Sequence, residues 1–155
     1  MRKIIALIGI FTILFATDVY CCTSAIITGK ATPDGRPLMW KHRDTGEDNN
    51  RVDYIKGPKY NFIALINSPD MVPEAWCGTN EVGFSIMNTA SYNLNYDDVP
   101  SEQMDREGAV MYDALGKCKT LEDFEKLLKS YKKPYGVEGN FGVIDAYGGA
   151  AYYEV

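Results

Sequence analysis

A chain of 155 residues, 46% of them hydrophobic, is sized for one globular domain with a buried core, and this composition argues against a disordered protein. The net charge is −5 and the basic residues are scattered along the chain, so no basic stripe exists to hold nucleic-acid phosphates. We therefore expect no nucleic-acid partner.

The first 21 residues have the pattern of a secretory signal. Met1 to Lys3 is positively charged, and the apolar run Ile4 to Ala16 is shorter than the roughly 20 residues that a membrane span needs. We predict export to the periplasm or the cell exterior, with residues 22–155 as the mature domain. Cleavage before Cys22 fits the small-residue rule, and a cut after Ala16 is the alternative. An uncleaved anchor or a buried helix also stays open.

Four cysteines in an exported protein usually indicate disulfides. Cleavage before Cys22 would leave Cys22, Cys77 and Cys118, an odd number, so at least one thiol stays outside any disulfide within the chain. Cys77 and Cys118 could pair with each other, or each could be a buried small apolar residue. The cysteines and the single histidine show neither C-x-x-C nor H-x-x-x-H spacing, so we expect no metal site and no other cofactor.

The predicted elements begin with a β-rich section. β-Branched residues favour a strand over Thr23 to Lys30, a turn follows at Pro33 to Gly35, and Leu38 to Lys41 returns as a second strand, which makes a hairpin. The polar segment Thr45 to Lys59 is predicted to be an exposed loop that borders a pocket. Further strands are predicted over Tyr60 to Asn67, Ala75 to Cys77 and Val82 to Met87, with a turn at Gly78 to Glu81.

Two helices and a second hairpin follow. Helical spacing of apolar residues predicts a helix over Glu107 to Cys118, and Thr120 with Asp123 forms a weak capping box for the next helix. The apolar face of that helix comprises Leu121, Phe124, Leu127, Leu128 and Tyr131. Phe141 to Ala146 and Ala150 to Val155 predict the second hairpin. The pattern is that of an α+β protein with helices on one face of its sheet and Cys22 at a sheet edge, and because it stops within a strand we expect part of a longer protein.

Cys22 would carry two reactive groups once it became the amino-terminal residue. An α-amino group is partly neutral near pH 7 and can therefore accept the proton of a neighbouring thiol. A thiol with its own base is suited to attack on an amide or thioester carbonyl, and a positioned base contributes roughly 10²- to 10⁴-fold in rate. Cys22 is therefore the candidate nucleophile.

Three separated stretches carry a family resemblance: C-T-S-A-I-I-T-G-K-A-T-P-D-G-R-P-L-M-W-K-H-R-D, G-T-N-E-V-G-F-S-I-M-N-T-A-S-Y and N-F-G-V-I-D-A-Y-G-G-A-A-Y-Y-E. In their order and spacing they resemble the N-terminal nucleophile hydrolases of the choloylglycine hydrolase, penicillin V acylase and acyl-coenzyme A:isopenicillin N acyltransferase group. The resemblance covers nearly all of residues 22–155. It implies a four-layer αββα sandwich, of which this chain would supply the first half, and acyl transfer from linear amides through a thioester on Cys22.

The resemblance also implies roles for individual residues. Cys22 matches the nucleophile, and Asp44 matches the aspartate that closes the family's R-N-x-D segment and holds the nucleophile's amine. Lys41 falls on the leading arginine of that segment and matches its charge but lacks its planar fork. Asn88 matches the asparagine whose side chain helps to form the oxyanion hole, a role that suits an uncharged donor. The family's later asparagine and arginine have no counterpart in this sequence.

Other interpretations stay open at this point. His42, the only histidine, could form a Cys-His dyad with Cys22, unless strand alternation turns it away. Cys22 could instead be a lipid-anchoring residue of an exported ligand-binding protein, or the nucleophile of a related cysteine dipeptidase. The expected partner is a small-molecule acyl amide, with no membrane contact after signal removal. Family members often form tetramers, so a homo-oligomer is a further expectation.

Overall fold

The computed structural model describes residues 22–68, 73–91, 99–100, 104–133 and 135–155. The predicted signal over residues 1–21 lies outside the described residues. Within the described ranges the chain is an α+β protein of eight strands and two α-helices, and most of its sheet pairing is antiparallel. No helix in these ranges combines the length and the apolar character needed to cross a membrane.

The strands form two separate antiparallel sheets. The first is the hairpin of β1 (Thr23–Ile27) and β2 (Leu38–His42), joined through a short 3₁₀ turn at Gly29–Ala31. The second has six strands in chain order: β3 (Asn50–Ile55), β4 (Phe62–Asn67), β5 (Cys77–Asn80), β6 (Ser85–Ala90), β7 (Gly139–Ile144) and β8 (Ala150–Glu154). Helices α1 (Glu107–Lys117) and α2 (Leu121–Ser130) lie between β6 and β7 in the chain. Cys22 directly precedes β1, which is an edge strand of the two-stranded sheet, so the cysteine lies at the edge of the hairpin sheet and not of the six-stranded one.

One face of the six-stranded sheet forms the core with the helices. Paired residues point to the same face, and successive residues of a strand point to opposite faces. The buried side chains of this face are Phe62, Ala64, Ile86, Phe141 and Val143 from the sheet, packed with Val110, Met111, Leu115 and Phe124 from the helices. Phe124 in α2 meets Phe141 edge-on, with ring centroids 5.6 Å apart. The prediction of helices covering one face is confirmed.

The hairpin lies on the opposite face. A row of paired residues crosses all six strands there: Val52, Leu65, Cys77, Met87, Gly142 and Tyr152. The Ser24 and Tyr152 hydroxyls are hydrogen-bonded at 3.1 Å, and Lys41 Nζ donates to the Trp76 backbone oxygen at 2.9 Å. The described residues therefore form three layers: the hairpin, the six-stranded sheet and the helices.

The hairpin covers this face only in part. Beside β2 the sheet exposes Val52, Tyr54 and Ile63, and the outer side of β2 itself exposes Leu38 and Trp40. The apolar surface of the described residues is thus concentrated around β2.

The loop predicted over Thr45 to Lys59 is correct only for residues 45–49 and 56–59. It contains β3, which pairs with β4 along its whole length from Asn50 to Ile55. The strand itself contains Val52, Tyr54 and Ile55, but the polar segments on either side of it hide it in the sequence.

The predicted turn over Gly78 to Glu81 is also misplaced. Residues 78–80 belong to β5, and the chain reverses at 81–83, where Gly83 has a φ of +81° that favours glycine. The strand expected over Val82 to Met87 is accordingly β6, which starts at Ser85 and runs to Ala90. The neighbouring strand starts at Cys77 rather than at Ala75. This shift places Asn88 inside a strand instead of at its end.

The helix predictions are confirmed. The first helix covers Glu107–Lys117, and the Thr120 hydroxyl caps the second by accepting from the Asp123 N–H at 3.2 Å. The Asp123 carboxylate in turn accepts from the Lys119 N–H at 3.0 Å, so the capping box is displaced by one residue on that side. The cap fixes the start of α2.

Buried polar side chains join the helices to the sheet. Asn80 Nδ2 donates to the backbone oxygens of Leu115 and Cys118 at the end of α1, at 2.9 and 2.8 Å. Its Oδ1 accepts from the N–H groups of Val82 and Phe84 at 3.2 and 2.9 Å. All four hydrogen-bonding positions of this amide are therefore used, and it fixes the β5–β6 turn against α1.

The two later cysteines lie on different sides of the six-stranded sheet. Cys77 points to the hairpin side, whereas Cys118 is 2% exposed in the core beneath the helices. Both carry thiols. Of the two alternatives for this pair, the structure therefore supports separate, unbridged residues.

Candidate active site

The hairpin register brings Cys22 and Lys41 to one surface. Ser24 pairs with Lys41 and Ile26 pairs with Met39, so these four side chains share a face of the hairpin. Cys22 continues the same alternation one step before β1. This face is the half-buried one, turned towards the six-stranded sheet, as the alternating burial of β2 shows.

Lys41 links the hairpin to β6. Its Nζ donates to Asn88 Oδ1 at 2.5 Å and to the Trp76 backbone oxygen at 2.9 Å. The last pair between β5 and β6 is Cys77 with Met87. Trp76 and Asn88 are the residues just beyond this pair, so the Lys41 ammonium lies at the end of the β5–β6 ladder. Asn88 is 6% exposed, and a charge-assisted hydrogen bond in a buried place is among the stronger kinds.

The lysine also fixes the orientation of the Asn88 amide. An ammonium can only donate, so the atom that faces it must be the oxygen, and Nδ2 is left as the donor end turned away from Lys41. The structure thus brings Lys41 and Asn88, two of the predicted site residues, into direct contact. Their spacing in the sequence did not predict this contact.

Opposing charges act on the Lys41 ammonium. Burial lowers its pKa from the ordinary 10.5; the thiolate forms of Cys22 and Cys77 raise that pKa, the Arg43 cation lowers it, and the Glu107 carboxylate raises it. Burial also raises the pKa of the Cys77 thiol, while the Lys41 and Arg43 cations lower it. Two thiols therefore lie within the field of the same lysine.

Asp44 lies next to the candidate nucleophile. Cys22 Sγ is 3.7 Å from the Asp44 backbone oxygen, a distance that fits a weak S–H···O hydrogen bond. Both residues are half-buried. Of the four residues that the sequence predicted for the site, Cys22 thus lies beside Asp44, and Lys41 of the hairpin bonds to Asn88 in β6.

His42 lies on the wrong face for a dyad. It pairs with Thr23, the residue after Cys22, and both of these side chains are exposed on the outer side of the hairpin. Because Cys22 alternates to the inner side, the imidazole points away from the thiol. The Cys-His alternative is therefore wrong.

Arg43 is a site residue to which the sequence gave no role. Its guanidinium stacks 4.8 Å above the Trp76 ring, and Nη2 donates to Asn67 Oδ1 at 2.9 Å. Lys41 and Arg43 thus anchor the segment before Asp44 to the ends of β4 and β5. In the sequence, the available signal for Arg43 was its position two residues after Lys41, just past the end of β2. Nothing in the sequence pointed to Trp76 as its partner.

A groove of about 340 Å³ runs beside β2. The Lys41 and Cys77 side chains line it together with apolar ones from β2, β3, β4 and β6, namely Met39, Val52, Ile63, Leu65 and Met87. One cation at the side of an apolar groove is the kind of lining that small-molecule sites have.

In the part of the chain that the structure describes, no group of three or more His, Cys, Asp or Glu side chains is arranged to hold a metal ion. Comparison of the chain with protein-family models and with curated proteins found no match.

Proposed function

We propose that this chain belongs to an exported amidase or acyltransferase of the N-terminal nucleophile type, which forms a thioester on Cys22 and acts on linear amide C–N bonds. The observation that carries this proposal is the contact between Lys41 and Asn88 beneath the hairpin that Cys22 begins. It joins two motifs that lie 47 residues apart in the sequence, and it leaves an uncharged donor at a buried position.

The reaction would begin with removal of residues 1–21, which frees the α-amine of Cys22. That amine takes the thiol proton, and the thiolate attacks the amide carbonyl carbon. The oxygen of the tetrahedral intermediate then accepts a hydrogen bond from Asn88 Nδ2. When the C–N bond breaks, the protonated α-amine returns its proton to the leaving amine. Water or a second amine attacks the thioester and restores the Cys22 thiol.

The remaining two residues would position this machinery. Lys41 holds the Asn88 amide by its oxygen, which leaves Nδ2 as the donor end of that amide. Asp44 lies beside Cys22, where the family resemblance expects an aspartate that holds the nucleophile's amine.

The layering supports the fold that the resemblance implies. Helices, a six-stranded sheet and a second, smaller sheet follow one another in the described residues, which agrees with three successive layers of an αββα sandwich. The exposed sheet face around Val52 and Ile63 agrees with an αββα sandwich in which the second sheet is wider than the two-stranded hairpin described here.

The test uses the complete precursor, expressed with export. The mature amino terminus is sequenced, and the protein is treated with iodoacetamide and assayed on acyl amides and dipeptides. We expect a chain that starts at Cys22, alkylation of that residue, and loss of amide hydrolysis on alkylation. Cys22→Ala should abolish turnover, whereas the matched control Cys118→Ala, which removes a core thiol, should keep it.

Two results would end the proposal. One is parental turnover by Cys22→Ala, and the other is a mature chain that starts at Thr17. A mass increase corresponding to an acyl chain on Cys22 would instead support the lipid-anchored alternative, and turnover of dipeptides alone would support a cysteine dipeptidase.

A further inference from the structure

Arg43 is a half-buried cation of the site that the mechanism above does not use. Its guanidinium lies 4.8 Å above the Trp76 ring, and its Nη2 donates to Asn67 Oδ1 at 2.9 Å. Asn67 is the last residue of β4, and Trp76 directly precedes β5, with which β4 is paired. The Trp76 N–H donates to the Leu65 backbone oxygen at 2.9 Å, so both anchor points of the arginine belong to one end of the six-stranded sheet.

The backbone of Arg43 lies across from the candidate nucleophile. The β1–β2 ladder ends with the pair of Thr23 and His42, and one step further in the same register Cys22 faces Arg43. Because residues opposite each other share a face, both side chains start from the inner side of the hairpin. Cys22 Sγ lies 3.7 Å from the backbone oxygen of Asp44, the residue after Arg43, which agrees with this register. The arginine therefore fastens to the six-stranded sheet the segment that the cysteine contacts.

The Trp76 side chain is placed in a way that stability alone does not explain. Its Nε1 is buried and has no hydrogen-bond partner among the described residues. A buried donor without an acceptor destabilises the folded state, so such a group in a native structure needs another reason. The indole offers that reason in its flat face, which binds the guanidinium 4.8 Å away. A planar guanidinium can stack on a ring while its N–H groups bond elsewhere, as that of Arg43 does with Asn67.

Resting on the proposed function, we propose that Arg43 is a positioning residue. Stacked on Trp76 and bonded to Asn67, it fixes Asp44 beside Cys22, so that the α-amine released by maturation is held in one orientation to the thiol. Asp44 follows Arg43 directly, so a shift of the arginine moves the carboxylate that is expected to hold this amine. A misplacement of about 1 Å can reduce a rate about 10²-fold. Substrate meets Cys22, and Arg43 acts on the reaction through Asp44.

The test is a double-mutant cycle on the mature protein obtained from the complete precursor, with kcat and KM measured on an acyl amide. Arg43→Lys keeps the charge and loses the planar fork, and Trp76→Leu removes the ring. We expect each change to reduce kcat by about 10- to 100-fold and to leave KM within about twofold of the parental value. The double variant should be no slower than the slower single variant, because both changes break the same contact.

Arg51→Lys and Trp40→Leu are the matched controls and should keep the parental kcat. They make the same exchanges at exposed positions, in β3 and on the outer side of β2. If Arg43→Lys does not fold, Trp76→Phe replaces it. This variant keeps an aromatic face under the guanidinium and should lose less activity than Trp76→Leu, and equal losses in the two variants would refute the role of the stack.

Parental kcat in Arg43→Lys, or a double variant in which the two losses multiply, would overturn the proposal. A higher KM at parental kcat would also overturn it, because the arginine would then bind substrate instead of fixing the nucleophile. Iodoacetamide labelling of the parent separates the two proposals. A Cys22 that neither reacts nor supports turnover would sink the amidase function and this role with it, whereas a reactive Cys22 together with parental kcat in Arg43→Lys would sink this role alone.

Discussion

Replacing Asn88 by aspartate should separate the stability of this site from its chemistry. The carboxylate of Asn88→Asp keeps an oxygen towards Lys41 Nζ, so the 2.5 Å contact becomes an ion pair instead of being lost. A second oxygen takes the place of the Nδ2 donor. We therefore expect an unfolding free energy within about 1 kcal/mol of the parent, because the gain of an ion pair offsets the burial of a second charge.

The catalytic effect should be much larger. One donor of an oxyanion hole stabilises the transition state by about 2.7–4 kcal/mol, so its loss should reduce kcat by about 10²- to 10³-fold. The negative oxygen that replaces it would also repel the oxyanion. Alkylation of Cys22 by iodoacetamide requires no oxyanion and should persist.

The assay combines kcat on an acyl amide, urea unfolding and the stoichiometry of Cys22 alkylation. Asn49→Asp is the control, because it makes the same change of charge at an exposed position. Parental kcat in Asn88→Asp would refute the oxyanion role. A loss of several kcal/mol in stability would instead refute the contact of the Asn88 oxygen with Lys41.

Three further predictions follow from other parts of the structure. His42→Ala should leave amide turnover and its pH profile unchanged, because the imidazole lies on the outer face of the hairpin; a loss of activity would revive the dyad. Asn80→Ala should lower the unfolding free energy by about 3–5 kcal/mol in urea titrations, since it leaves two buried carbonyls and two N–H groups without their partner, and a loss under 1 kcal/mol would contradict that network. Burial raises the pKa of the Cys118 thiol from 9.0 to about 12, so the unfolded chain loses this proton first as the pH rises above 9. Stability should therefore fall with rising pH in this range, and Cys118→Ala should make that slope shallower by up to about 1.4 kcal/mol per pH unit, whereas an unchanged slope would show an ordinary thiol.

Much of the local structure could be predicted because it depends on neighbours in the sequence. The helix over Glu107–Lys117 follows from the spacing of apolar residues, and the Thr120 cap follows from a hydroxyl three residues before Asp123. The first hairpin follows from its turn residues. What failed was the placement of β3 and of the β5–β6 turn, which depend on pairing with strands far along the chain.

Some residues of the site could likewise be predicted from the sequence. Cys22, Lys41, Asp44 and Asn88 could be named from motifs, but the bond between Lys41 and Asn88 depends on how the hairpin docks on the sheet.

The position of Cys22 just ahead of the first hairpin pair bears on how such a protein would mature. The ladder of β1 and β2 begins with Thr23 and His42, so a peptidase that cut before Cys22 would break none of its rungs. The chain could then fold first and be trimmed afterwards, with the new terminus emerging beside an already positioned Asp44.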